Sequence, residues 1–149
     1  MIYQDSEFIT EKLFCLNPLN DVIVFHEEAS TVNGISEEEI KSYPSAETVV
    51  PEIAQFLKEY AASEKLVFGG YNCGFDYGHL SALFNRYGYR MDDYFSGRLI
   101  DCYVLVQRAS DMGLLPKTKN QKLGTMTKAL DIPHDSAHSA LRTCSRYVK

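Results

Sequence analysis

The stretch LVFGGYNCGFDYGHLSALF, residues 66–84, constrains this chain more than any other. It opens with a short apolar run, Leu66-Val67-Phe68, bounded by glycines, which reads as a buried strand. Gly69, Gly70 and Gly74 mark a close-set turn where backbone can approach another backbone or a ligand. A helix is expected next, with Leu80, Leu83, Phe84 and Tyr87 at helical spacing and Gly88 as its stop. Asp76 falls where that helix begins, beyond the carboxyl end of the strand, and ligands of open α/β sheets bind at that end. Spacing alone also allows a structural role for it, since an aspartate in a first helical turn favours the macrodipole and can cap free N–H groups.

At 149 residues the chain is read as one domain, large enough for a core. Its apolar and charged fractions, 45% and 23%, are those of an ordinary globular protein. No apolar run is long enough to span a bilayer, and the polar, acidic amino terminus is no signal peptide, so a cytoplasmic protein without membrane contact is expected. Cys15, Cys73, Cys102 and Cys144 are scattered, without zinc spacing, and are expected as reduced thiols. A net charge of −5 argues against a whole-surface grip on nucleic acid. It leaves room for an enzyme that meets phosphate through metal ions held by carboxylates.

Along the chain, a strand end and a turn at Asp5-Ser6 lead into a second strand, Phe8 to Leu16, ended by Asn17-Pro18. Ser36-Glu37-Glu38-Glu39 has the form of a capping box and predicts a short helix after Ser36. A longer helix is predicted after Ser45, with Val50, Ile53, Phe56, Leu57 and Tyr60 as its apolar stripe and Pro51 near its first turns. Leu99-Ile100 reads as a short strand running into a helix over Cys102 to Ala109. Lys117 to Lys122 is a polar, basic loop, read as solvated, with phosphate contact as the alternative. A short helix over Leu123 to Leu130, closed by Pro133, and a final helix with Ala137, Leu141, Cys144 and Val148 on its buried face complete the chain.

Tyr71-Asn72-Cys73-Gly74-Phe75-Asp76 resembles the hNxxFD second motif of the DEDDh (DnaQ-like) 3′–5′ exonucleases, the family of the proofreading epsilon subunit of DNA polymerase III. The resemblance extends in order through Phe14 to Pro18, Asn33-Gly34-Ile35, Arg98 to Ala109 and Lys122 to Tyr147. It implies an α/β, ribonuclease-H-like fold, a mixed five-stranded sheet flanked by helices. It makes Asp76 a metal ligand, Asn72 and Phe75 substrate-binding residues, and His138 the general base for an attacking water. It implies Mg²⁺ or Mn²⁺ as cofactor, nucleic acid (DNA rather than RNA) as substrate, and a DNA polymerase subunit as partner.

The chemistry is where the chain departs from this family. Two metal ions roughly 3.5–4 Å apart clamp the attacking and leaving oxygens, held by four carboxylates, two of them in a D-x-E pair on the first, central strand. Asp5-Ser6-Glu7 has that spacing but falls in the hairpin between the family's second and third strands, so both acids are read as solvated turn residues. The single exonuclease-like domain, residues 1–149, is thus read as incomplete at its amino terminus, without the first strand. Thr143 stands where the last metal-binding aspartate is expected, five residues after His138, and threonine is a weak ligand for a hard cation. A lone Asp76 cannot balance two divalent ions. Three readings follow: an amino-terminally shortened exonuclease with impaired or no activity, a catalytically dead module that binds nucleic acid or a polymerase, and a non-functional remnant. The absent central strand further implies self-association through an exposed sheet edge.

Overall fold

The computed structural model describes residues 1–5, 7–20 and 23–132. They belong to two compact units, one within Met1–Phe56 and one from Leu57 onward.

In the first unit, Ile2–Gln4 (β1) and Glu7–Thr10 (β2) pair antiparallel. Asp5, at φ 50°, makes the turn, and Tyr3 and Phe8 meet edge-on with ring centroids 5.6 Å apart. The strand expected to reach Leu16 stops at Thr10, because a three-residue partner offers no further ladder. The chain regains pairing at Asn17. Its N–H donates to the Pro44 carbonyl at 2.8 Å, and its carbonyl accepts from the Ala46 N–H at 3.2 Å. A helix over Glu27–Asn33 (α1) follows, which the sequence pattern did not predict, and Gly34 closes it at φ 70°.

The helix predicted after Ser36 is present as Glu37–Ser42 (α2), with Ser36 Oγ accepting from the Glu39 N–H at 3.1 Å. The Glu39 carboxylate, which a capping box would turn back on the cap, instead accepts the Tyr43 O–H at 2.6 Å. That bond holds the Tyr43 phenol up at about 12, since ionisation would set its oxygen against a carboxylate. The longer helix is Ala46–Tyr60 (α3). Ala46, Val49, Val50, Ile53, Ala54 and Leu57 are buried along it, the spacing of one apolar face. Pro51 gives up one helical bond to the carbonyl of Glu47.

The second unit holds the strand expected at its centre, Leu66–Gly70 (β3), then Cys73–Arg86 (α4), a 3₁₀ turn at Met91–Asp93, Phe95–Asp101 (β4), Cys102–Asp111 (α5) and Leu123–Ala129 (α6). β3 and β4 pair in parallel, with Leu66 opposite Phe95, then Phe68 opposite Leu99 and Gly70 opposite Asp101. Between the first two pairs β4 carries extra residues opposite Val67. Phe68, Tyr77 and Phe95 pack edge-to-face, Phe68 lying 5.4 Å from each of the other two rings, which ties α4 to both strands. Phe84 is fully buried, with the rings of Tyr89 and Tyr94 at 5.9 and 5.8 Å.

Gly88 stops α4 as expected. At φ 79° its N–H donates to the Asn85 carbonyl, and the Tyr89 N–H reaches back to Phe84 at 3.0 Å, a Schellman cap. Gly113 ends α5 the same way at φ 71°, and Asp131 ends α6 at φ 53° with the Ile132 N–H on the Thr127 carbonyl at 2.8 Å.

The architecture is mixed α/β. In place of one five-stranded sheet, the described strands form two separate pairs, one antiparallel and one parallel. A parallel strand is ordinarily covered on both faces. Here Val67, Leu99 and Ile100 are 41%, 43% and 51% exposed. Pro133 and the final predicted helix lie outside the described residues.

Candidate active site

The site grows from the carboxyl ends of the two parallel strands. β3 ends at Gly70, and a Cβ there would stand 3.1 Å from the Cβ of Cys73, so bare backbone lets α4 start this close to the strand. Gly74, also expected at a close approach, has nothing within 4 Å of an added Cβ. The chain reverses instead at Asn72, in the left-handed region at φ 60° and ψ 38°, a conformation asparagine tolerates better than most side chains.

Asp101 holds that reversal. It lies opposite Gly70 in the register and caps α5, with its Oδ1 accepting from the Tyr103 N–H at 2.9 Å. The same oxygen accepts from the Asn72 N–H at 2.8 Å. One carboxylate thus joins the starts of α4 and α5. Cys73, buried beneath the turn, has its Sγ 3.6 Å from the Ile100 carbonyl. Burial pushes its thiol pKa up, with the nearby Asp101 charge adding to the effect, so Cys73 stays protonated and unreactive.

Asn72, Phe75 and Asp76 are all brought to this one turn, and all are exposed. Asp76 is in the first turn of α4, as the sequence predicted. Phe75 is 66% exposed and meets His79 edge-on, with ring centroids 4.3 Å apart. Asp5 and Glu7 flank the β1–β2 turn and are exposed. His138 and Thr143 lie outside the described residues.

Sequence reasoning missed two supports of the turn. Asp101 had a local signal, an acid at the end of a strand and the start of a helix, but its bond to Asn72 spans 29 positions and leaves no local trace. The other is Tyr71, whose O–H donates to the Gln121 carbonyl and whose ring meets that of Tyr103 at 5.6 Å. Burial raises the Tyr71 pKa, keeping the phenol a donor.

A family model described as Exonuclease (RNase T) matches residues 14–148, and the chain belongs to this exonuclease family, within the DnaQ-like superfamily. No curated protein matches the chain. Membership implies a ribonuclease-H-like fold, with which the mixed α/β architecture agrees at a coarse level, and supports nuclease-type function. The family generally uses divalent metals. Among the described residues, no group of three or more His, Cys, Asp or Glu side chains could hold a metal ion. The described residues therefore do not fit a two-metal centre. Cys15, Cys73 and Cys102 are free thiols, and no helix among the described residues is long and apolar enough to cross a membrane.

Proposed function

We propose that this chain is a DEDDh-type 3′–5′ exonuclease domain whose site receives the 3′ end of a nucleic acid, DNA in preference to RNA, and which as it stands hydrolyses that end poorly or not at all. The observation that carries the reading is the Asn72–Asp76 turn: a carboxylate and an exposed phenylalanine on the first turn of α4, beyond the carboxyl end of a parallel strand. By the resemblance of Tyr71 to Asp76 to the family's hNxxFD segment, this turn would carry the second motif. His138, by the same resemblance, would take a proton from an attacking water.

The impairment rests on residue chemistry. Mg²⁺ and Mn²⁺ are hard cations that need several anionic oxygens. Of the family's four carboxylate positions only Asp76 is matched, with Thr143 at the last and Asp5 and Glu7 in the β1–β2 hairpin. That set cannot balance two divalent ions. Incubation of a 3′-labelled single-stranded oligonucleotide with the chain and Mg²⁺ or Mn²⁺ should release little or no nucleotide. Robust release that Asp76→Ala abolishes would overturn the impairment. Thr143→Asp alone should leave release low, since the D-x-E pair is still unmatched.

One observation favours a second reading, a nuclease-fold module retained for contact with a polymerase subunit. Val67, Leu99 and Ile100 are apolar strand residues left exposed, a composition suited to a protein partner. Substitution of all three by threonine should then abolish co-sedimentation with the polymerase while leaving oligonucleotide binding intact.

A further inference from the structure

We infer that the loop Lys117–Lys122 is the phosphate-binding arm of this site, gripping the backbone of single-stranded nucleic acid behind the residue that reaches Asp76. The inference rests on the proposed nucleic-acid reading of the Asn72–Asp76 turn. Its own basis is the bond from the Tyr71 O–H to the Gln121 carbonyl, which anchors the carboxyl end of this basic loop to the residue just before Asn72. The loop is shaped rather than loose. Asn120 Oδ1 accepts from the Lys122 N–H at 3.1 Å, and Thr118 Oγ1 donates to the Asn120 carbonyl at 2.9 Å.

Lys117, Lys119 and Lys122 are exposed, and among the described residues none of them is in an ion pair. Three exposed ammonium groups, on a loop bonded to the residue just before the turn that carries the exposed Phe75 ring, combine the two elements of single-strand recognition, charge for the backbone and a π-face for a base.

The test uses the full chain and a fluorescein-labelled ten-nucleotide dT strand, with an rU strand in parallel, followed by anisotropy across a salt series without metal. Lys117→Gln, Lys119→Gln and Lys122→Gln together should weaken binding at least about tenfold and lower the magnitude of the log–log salt slope by about 2, the value for three phosphate contacts on a single strand. Lys41→Gln, Lys58→Gln and Arg86→Gln together remove the same charge elsewhere and should change neither. Tyr71→Phe, which keeps every charge but frees the loop, should weaken binding severalfold. Equal losses from the two charge triples would overturn the arm, leaving only a net-charge effect. Loss of binding in Phe75→Ala with the loop triple silent would overturn the arm and keep the site. No binding by the native chain to either strand would overturn both. Far-UV circular dichroism of each surface variant should match the native spectrum.

Discussion

At the scale of single residues, Asp101 is the group on which the turn depends. Its carboxylate accepts two backbone N–H groups that begin two helices, and charge-assisted bonds of this kind are stronger than neutral ones. Asp101→Ala should cost about 2 kcal/mol in urea unfolding, with Asp101→Asn, which keeps one acceptor oxygen, costing roughly half. Cys73 carries a pH signature. Its pKa is raised in the folded state, so above its ordinary value of 9.0 the unfolded chain loses a proton that the folded chain keeps. Stability should fall as pH rises past that point, and Cys73→Ala should flatten the fall in thermal unfolding curves taken between pH 8 and 10. Tyr43 adds a second decline, from about 10 to about 12, by the same sign. Asp76 was legible because it sits inside a dense local pattern of strand, turn and helix. Asp101 and Tyr71 were not, because their partners lie 29 and 50 positions away.

At the scale of elements, local chemistry fixes a boundary where a cap or a glycine acts on neighbouring backbone. Gly88 announces the end of α4, and the Ser36 hydroxyl announces the start of α2, because each acts on atoms a few residues away. α1 starts at Glu27 after His26, which makes no side-chain cap, so only the acids Glu27 and Glu28 mark its first turn. The overlong estimate for β2 has a different cause: strand length depends on a partner, and β1 supplies three residues. Ser36→Ala should lower stability by about 1 kcal/mol. Asp131 occupies a left-handed position that glycine fills without strain in α4 and α5, so Asp131→Gly should raise stability by about 0.5–1 kcal/mol. Both changes are read by chemical denaturation at constant m-value.

At the scale of the whole molecule, the mixed α/β class was legible from the alternation of strand-like and helix-like patterns, whereas the division of the strands into two pairs was not. Pairing is a property of distant segments, and no local pattern states which strand lies beside β3. Among the described residues β3 pairs only with β4, and Val67, Leu99 and Ile100 are exposed beside open edges. Such edges recruit other strands. Sedimentation velocity should show concentration-dependent association, and Val67→Lys with Ile100→Lys should shift the chain toward a monomer. A monomer with cooperative unfolding in the native chain would mean that these edges are covered another way. The bond between Tyr71 and Gln121 has a consequence in time rather than space. A neutral hydrogen bond contributes about 1 kcal/mol net, which leaves such a latch undone roughly 15% of the time. The segment it holds therefore opens far more often than the protein unfolds, and its amides should exchange hydrogen with water long before those beside the buried Phe84.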